Sequence, residues 1–351
     1  MKLPDFPWDA LAPFGDKARA HPDGIIDLSV GTPVDPTPDF IQEALKSASN
    51  SPQYPLTAGT PELRAAIDNW ARADLGATGE FGVLPLIGSK ELVAWLPTIL
   101  ESNKVLYPEI AYPTYLVGSM ISKSEAITVD FDASKWPSAD LAWVNTPSNP
   151  TGRVHSDGEL ISAIEWARKS GVVVADECYL EFGESKLPKS ILALTGGNNK
   201  NILALHSLSK RSSMAGYRAA MLIGDKDLIA KILEIRKHAG MMVPLPIQKA
   251  MIAALSDKTH VALQRDRYNA RKAKVRSAIS KHGFEIEFSE AGLYLWATRN
   301  ENAWDTVAWF AEQGILVAPG NFYGEKGANY VRIAMTATDS QIDELVRRLG
   351  G

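Results

Sequence analysis

Short, largely apolar runs alternate with helical segments between Gly82 and Gly224. The runs cover residues 83–87, 105–107, 126–131, 141–144, 172–175, 202–205 and 219–223. Strands that are apolar throughout, rather than at every second residue, are buried on both faces, and their alternation with helices is typical of parallel sheets. The sequence therefore predicts an α/β fold in which a mainly parallel seven-stranded sheet lies between helices.

Helices are predicted where apolar residues recur at helical spacing behind a capping residue. Asp39 is expected to cap a helix whose buried stripe begins at Phe40. Thr60 is expected to cap the next helix, with Pro61 at its first position. Further helices are predicted at residues 91–100, 113–121, 157–169 and 226–238, and Pro97 should kink the first of these.

The character of the sequence changes after Gly224. A long basic amphipathic helix at residues 259–282 is followed by short strands and helices, which predicts a smaller α+β unit. Residues 1–38 are rich in proline and poor in periodicity, which indicates an arm that docks elsewhere. The expected parts are an arm belonging to the small domain (1–38), a large domain (39–240) and a small C-terminal domain (241–351).

Composition and charge exclude several classes of protein. A net charge of −4 over 351 residues offers no broad basic surface, which argues against nucleic acid and anionic membranes as partners. The lone Cys178 cannot form an internal disulfide, which fits a reducing cytoplasm. No stretch approaches the length of a membrane span, the N-terminus resembles no signal peptide, and the six histidines show no metal-ligand spacing. We expect a cytoplasmic protein without a metal site.

Polar residues follow several of the predicted strands, where ligands of open α/β sheets bind. Ser89 and Lys90 begin a helix, and the N–H groups and dipole of a helix start favour a phosphate. Asp176 and Tyr179 follow a later strand at a spacing that lets both approach one planar ligand. The turn at residues 145–152, NTPSNPTG, aims two asparagine amides into the same cleft.

The stretch at residues 204–220, ALHSLSKRSSMAGYRAA, holds one lysine beside two anion-binding groups. Ser207 precedes Lys210 by three residues, and Arg218 follows it by eight. Gly216 would let the backbone approach a bound group. This combination suits a lysine that is joined to a phosphorylated carbonyl compound. A surface loop with three incidental polar residues is the alternative that this stretch alone leaves open.

Four motifs together, NTPSNPTG, ADECY, SLSK with an arginine eight residues on, and YVRIA, resemble the fold-type I pyridoxal-phosphate aminotransferases of classes I and II. The resemblance covers essentially the whole chain and implies pyridoxal 5′-phosphate as cofactor. It implies that Lys210 binds the cofactor covalently and, once released, moves a proton between the substrate α-carbon and the cofactor. Asp176 would pair with the pyridine nitrogen, and Tyr179 and Asn149 would bond to the ring oxygen O3′.

The resemblance implies the remaining roles as well. The cofactor phosphate would be held by Ser89, Lys90, Ser207 and Arg218. Tyr112 would stack on the ring, Arg332 would bind the substrate α-carboxylate, and Gly31 would line that carboxylate site. Tyr54 would reach the phosphate of a neighbouring subunit, which implies a homodimer with shared active sites. From the residues alone, Asp176 could instead cap a helix, Arg332 could be an edge-strand arginine, and Tyr112 could be ordinary packing.

Elementary chemistry agrees with two of these roles. A carboxylate beside the pyridine nitrogen favours the protonated ring, which is the stronger electron sink. An amine flanked by Arg218 and Lys90 loses its proton more readily, so Lys210 could act as a base near neutral pH.

The N-terminal segments LPDFPWDAL, AHPDGIIDLSVGTPVDPTP and YPLTAGTPELRAAI are similar to the actinobacterial type of N-succinyldiaminopimelate aminotransferase. That resemblance implies ping-pong transfer from glutamate to N-succinyl-2-amino-6-oxopimelate in diaminopimelate and lysine synthesis. Three alternatives stay open. They are an aspartate, LL-diaminopimelate or aromatic aminotransferase, a C–S lyase that uses the same cofactor, and a non-enzymatic sensor on the same fold. The sensor would need a DNA-binding module, and no basic helical module precedes Gly31.

Overall fold

The computed structural model describes residues 3–350. Its helices are α1 (Ala12–Arg19), α2 (Asp39–Ser47), α3 (Pro61–Asp74), α4 (Ser89–Ile99), α5 (Thr114–Ser122), α6 (Asp157–Lys169), α7 (Leu208–Arg211), α8 (Lys226–His238), α9 (Leu245–Ser256), α10 (Thr259–Ser280), α11 (Ala303–Glu312) and α12 (Asp339–Arg348). Its strands are β1 (Ile26–Asp27), β2 (Gly82–Leu86), β3 (Lys104–Pro108), β4 (Glu125–Val129), β5 (Leu141–Asn145), β6 (Val172–Asp176), β7 (Ile202–Ser207), β8 (Ala220–Gly224), β9 (Glu285–Glu287), β10 (Tyr294–Thr298), β11 (Ile315–Leu316), β12 (Ala318–Pro319) and β13 (Val331–Ala334).

The seven-stranded sheet has the order β2-β8-β7-β6-β5-β3-β4. Strands β3 to β7 are parallel, and β8 runs antiparallel to both β7 and β2. Alternate residues of β5 face opposite cores: Ala142 and Val144 pack with α3, α6 and α9, whereas Leu141 and Trp143 pack with α4, α5 and α8. The predicted mainly parallel sheet between helices is confirmed.

Local sequence signals explain where several helices begin. The Thr60 side chain accepts a hydrogen bond from the Leu63 N–H, with Pro61 at the first helical position, as predicted. The prediction that Asp39 caps α2 is wrong, because Asp39 is the first residue of the helix and Pro38 occupies the capping position. An acidic residue in the first turn still complements the helix dipole there. Helices α6 and α8 have the predicted bounds.

A second hydrophobic core surrounds the four-stranded antiparallel sheet β12-β13-β10-β9. The N-terminal arm belongs to this core, since β1 pairs with β11 and Leu11 and Leu28 are buried within it. The Arg271 guanidinium in α10 donates to both carboxylate oxygens of Asp35, at 2.8 and 2.7 Å. The arm is therefore fixed where it passes the large sheet. Gly31 of the arm lies close to the carboxyl ends of the strands of that sheet.

Helix α9 was not predicted from the sequence. Ala250 and Met251 of α9 belong to the core of the seven-stranded sheet. The domain boundary near Met241 stays a prediction, and the packing places the change of core after Ser256. Helix α1, an eight-residue helix in the arm, was also not predicted.

Two absences concern residues 3–350 alone. No helix in this range is long and apolar enough to cross a membrane. These residues also contain no group of three or more histidine, cysteine, aspartate or glutamate side chains that could hold a metal ion.

Candidate active site

A cavity of about 520 Å³ opens at the carboxyl ends of the parallel strands, where the arm and the small sheet meet the large one. Every residue predicted for the site except Tyr54 lines this cavity, namely Gly31, Ser89, Lys90, Tyr112, Asn149, Asp176, Tyr179, Ser207, Lys210, Arg218 and Arg332. Tyr54 lies outside it with its side chain 92% exposed on the subunit surface.

Asp176 ends β6 and is buried at the floor of the cavity. Burial raises the pKa of its carboxyl, while hydrogen bonds from Cys178 and Tyr115 act in the opposite direction. The Tyr115 hydroxyl donates to Oδ2 at 2.8 Å, and the Tyr115 ring is stacked on Trp143 with centroids 5.0 Å apart. A buried carboxylate with a fixed donor suits the nitrogen of a protonated heterocycle, whose charge would offset the cost of burial. The alternative of a helix-capping aspartate is not what the structure shows.

The turn after β5 is organised by Asn145. Its side-chain amide donates to the Asp176 carbonyl at 3.0 Å, and its Oδ1 accepts from the Asn149 N–H at 2.7 Å. Asn149 in turn accepts at Oδ1 from Arg332 Nη1 at 2.9 Å. The two asparagines therefore link the ends of β5 and β6 to the small sheet.

Arg332 is not the edge-strand arginine of the alternative interpretation. Strand β13 lies between β12 and β10, and the side chain is 3% exposed. Nη2 donates to the Ser29 carbonyl at 2.6 Å, and Nε is buried without a partner among residues 3–350. A guanidinium has five N–H donors, so the two bonds at Nη1 and Nη2 leave others for a carboxylate.

Lys210 lies in α7, directly after β7, and is partly buried. Burial lowers the pKa of its amine to about 8, and the positive charges of Arg332 and Arg218 contribute to that shift. Lys90 was expected to act beside Arg218, but it lies at the cavity mouth with Nζ 5.8 Å from the Phe6 ring centroid. An amine whose pKa is near 8 can take up and release a proton at neutral pH.

The corner expected to hold a phosphate combines a helix start, hydroxyls and one arginine. Helix α4 begins at Ser89 without a side-chain cap, so its first N–H groups face no capping side chain. The Ser207 hydroxyl bonds to that of Ser209 at 2.9 Å, and Arg218 Nη1 donates to the Ala215 carbonyl at 2.8 Å.

Arg218 also approaches the main chain closely. A Cβ on Gly88 would lie 2.1 Å from Arg218 Nη2, so the close approach in this corner is at Gly88 rather than at Gly216. Hydroxyls, helix N–H groups and a guanidinium fit a phosphate dianion.

Tyrosines form the remaining wall of the cavity. Tyr112 lines it and also packs edge-on against Tyr115, with centroids 6.0 Å apart, and burial raises the pKa of Tyr112 to about 12. The Tyr179 hydroxyl lies 2.9 Å from the Tyr294 hydroxyl.

Sequence reasoning missed Tyr115, Tyr294 and the arm residues Phe6 and Trp8, which line the mouth of the cavity or support its floor. Tyr115 lies in a predicted helix, and Tyr294 lies among the short strands predicted for the C-terminal unit. From the sequence alone, both look like ordinary core residues. The aromatic pair in DFPWD, within a proline-rich arm, was the one available signal.

The chain is similar to known proteins over nearly its whole length. The model of the family described as aminotransferase class I and II matches residues 23–349. The chain is 51% identical to a probable aminotransferase of Mycobacterium tuberculosis over 99% of this chain and 85% of that protein. It is 49% identical to the 4-dedimethylamino-4-oxo-anhydrotetracycline transaminase OxyQ of Streptomyces rimosus over 99% of each. A solved probable N-succinyldiaminopimelate aminotransferase of Thermus thermophilus superposes with a TM-score of 0.89 at 25% identity, covering 98% of this chain and 99% of that one.

Proposed function

The chain belongs to the class I and II aminotransferases, a pyridoxal-phosphate-dependent family, and on that premise we propose that it moves the amino group of glutamate to N-succinyl-2-amino-6-oxopimelate. Aminotransferases use an amino donor and a keto acceptor. Two observations support this acceptor: the N-terminal segments described above and the likeness to the Thermus thermophilus protein. The enzyme would then act in diaminopimelate and lysine synthesis in the cytoplasm.

One observation carries the proposal of amino transfer. The Lys210 amine, the Asp176 carboxylate and the Arg332 guanidinium line the same cavity. A reaction at the α-carbon of an amino acid needs a base, an electron sink and an anchor for the carboxylate. Lys210 would be the base, Asp176 would support the electron sink and Arg332 would be the anchor. When bound, pyridoxal phosphate supplies the electrophilic carbonyl and the ring that accepts electrons from the α-carbon.

The residues of the chain have separate tasks in this proposal. Asp176 would favour the protonated pyridine nitrogen, and Tyr115, by donating to Oδ2, favours the ionised form of the Asp176 carboxyl. Arg332 anchors the substrate α-carboxylate through donors left free by Asn149 and Ser29, which fixes the α-carbon relative to the base.

Lys210 moves the proton in this scheme. Its amine would take a proton from the α-carbon and pass it to the cofactor in one half-reaction, and would move a proton in the opposite direction in the other, for which a pKa of about 8 is suited. Tyr179 and Asn149 would bond to the ring oxygen, and Tyr112 would stack on the ring.

The phosphate is proposed to lie between the start of α4 and the loop after β7, with Ser89, Ser207 and Arg218 as its donors. Lys90 is a weaker member of this group because it lies at the cavity mouth. Tyr54 is proposed to contact the phosphate of a second copy in a homodimer with shared active sites, and its 92% exposure in the single subunit is compatible with that role. Sedimentation should therefore give a dimer, and a fully active monomer would contradict this assignment.

Half-reactions test the proposed function. Purified holoenzyme mixed with glutamate should convert its cofactor stoichiometrically to pyridoxamine phosphate and release 2-oxoglutarate. A C–S lyase would instead release ammonia and pyruvate from a cysteine-derived substrate.

The amine-loaded enzyme is then offered a panel of acceptors. N-succinyl-2-amino-6-oxopimelate should give the highest kcat/KM among them. A higher value with aspartate-derived, aromatic or unsuccinylated pimelate acceptors, or with the tetracyclic ketone that the name of OxyQ implies, would replace the proposed acceptor.

Lys210→Ala should abolish both the visible absorbance of the holoenzyme and turnover. The matched control is Lys231→Ala on the exposed face of α8, which should change neither. Wild-type transamination by the Lys210 variant would refute its role.

A further inference from the structure

Tyr294 touches two groups that have separate tasks in the proposed function. It begins β10 and is 2% exposed. The Arg332 guanidinium lies over its ring, with Cζ 4.3 Å from the centroid. Its hydroxyl lies 2.9 Å from the Tyr179 hydroxyl. One side chain thus connects the carboxylate anchor to a residue that would bond to the cofactor ring oxygen.

The arm leaves space for the Tyr294 hydroxyl. A Cβ built on Gly31 would lie 2.2 Å from that oxygen and 3.0 Å from the carbon that carries it. Real Cβ atoms do not approach so closely, and the tyrosine oxygen is held by its partner and by a buried ring. Gly31 is therefore required here for space, so that any side chain at this position would displace the hydroxyl.

We propose that Tyr294 is a positioning residue that couples the charge at Arg332 to the hydrogen bond that Tyr179 makes to the cofactor. This inference rests on the proposed function, which assigns Arg332 and Tyr179 their roles. None of the roles given above involves Tyr294.

The coupling depends on which of the two hydroxyls, Tyr294 or Tyr179, donates its proton to the other. A tyrosine hydroxyl carries one proton and two acceptor sites. When Tyr294 donates to Tyr179, the proton of Tyr179 is free for the ring oxygen, and the chain of two bonds strengthens the second one. The cation over the Tyr294 ring makes that phenol a better donor. A carboxylate that binds Arg332 offsets the cation. Part of the effect then reaches the cofactor through Tyr294 and Tyr179, beside the shorter route through Asn149, which bonds to Arg332.

A structural role for Tyr294 would have different consequences. A tyrosine that only fills the core affects stability and the amount of cofactor bound. It does not affect how far carboxylate binding moves the pH midpoint of the cofactor absorbance. That midpoint shift is therefore the measurement that separates coupling from packing.

The chain offers a matched control in Tyr323. Its ring also lies against Arg332, with the guanidinium carbon 5.1 Å from the centroid, and the residue is 3% exposed. Its buried hydroxyl has no hydrogen-bond partner among residues 3–350. Tyr323→Phe therefore removes a buried hydroxyl beside the same guanidinium without breaking a bond to Tyr179.

The experiment titrates the visible absorbance of each holoenzyme with pH, with and without glutarate, a dicarboxylate that carries no amino group. Wild type and Tyr323→Phe should show the same glutarate-dependent shift of the midpoint. Tyr294→Phe should lose at least half of that shift. Its kcat/KM for glutamate should fall by roughly five- to tenfold, as for the loss of one buried hydrogen bond. Gly31→Ala should reproduce the reduced shift, and it serves as an independent variant if Tyr294→Phe does not fold.

The possible outcomes separate the coupling through Tyr294 from the proposed function. A glutarate shift that is as large in Tyr294→Phe as in wild type overturns the coupling while leaving the proposed function intact. An equal loss of the shift in Tyr323→Phe overturns it too, because the hydroxyl contact would then be irrelevant. If wild type itself shows no glutarate shift and no half-reaction with glutamate, the proposed function fails instead.

Discussion

Lys210 should destabilise the cofactor-free protein, because the fold lowers the pKa of its amine from the ordinary 10.5 to about 8. That difference corresponds to about 3 kcal/mol, at about 1.4 kcal/mol for each tenfold change in the protonation equilibrium. Lys210 is only partly buried, and solvent screens part of the effect, so we expect about 1–2 kcal/mol. Lys210→Met keeps most of the apolar stem and removes the amine, and should therefore stabilise the apo-protein by that amount at about pH 7.

The sign of the pH dependence follows from the direction of the shift. The unfolded chain binds a proton more tightly than the folded amine does, so the penalty is full below about pH 8. It decreases as the pH rises from about 8 and vanishes above about 10.5, where the unfolded amine is also neutral.

Urea unfolding of the two apo-proteins at about pH 7 and about pH 10.5 measures this difference. Lys231→Met on the exposed face of α8 is the control for replacing a lysine by methionine. The reasoning is refuted if Lys210→Met is less stable than wild type at neutral pH, or if its advantage does not shrink with rising pH.

Three further substitutions test the cavity. Asp176→Asn keeps the shape but removes the charge that would hold the ring nitrogen protonated, so kcat should fall at least tenfold in steady-state assays, and unchanged kinetics would remove its proposed role. Tyr115→Phe removes the donor to Asp176 Oδ2, which raises the pKa of that carboxyl further, so cofactor affinity by equilibrium dialysis should fall about fivefold. Arg332→Lys keeps the charge but loses the planar fork that bonds to Asn149 and Ser29, so KM for glutamate should rise roughly tenfold or more, whereas an unchanged KM would place the carboxylate elsewhere.

The residues at strand ends were predictable because the pattern that locates them is local. Two-sided apolar runs mark buried parallel strands, and the first polar residues after them face the ligand edge of the sheet. Asp176 and Lys210 were found in this way, and the structure brings both to one cavity. Helix α9 was not predicted, although Pro246 lies in its first turn, where proline is tolerated.

Contacts between distant segments could not be read from the same pattern. Tyr115 and Tyr294 look like core tyrosines in their own elements, and only the packing shows that their hydroxyls meet Asp176 and Tyr179. Lys210 was expected to lie between Arg218 and Lys90. Arg218 is one of the two charges that lower the pKa of its amine, and the other is Arg332 from the small sheet, which takes the place expected of Lys90.

The sequence by itself determined the strands of the large sheet, most of the helices between them, the class of the fold and the residue types at the strand ends, because each depends on neighbours within a few positions along the chain. The tertiary structure decided which hydroxyl bonds to which, why Gly31 must lack a side chain and how far the pKa of Lys210 falls. Those properties depend on distances between segments that are far apart in sequence and on how much water their packing excludes.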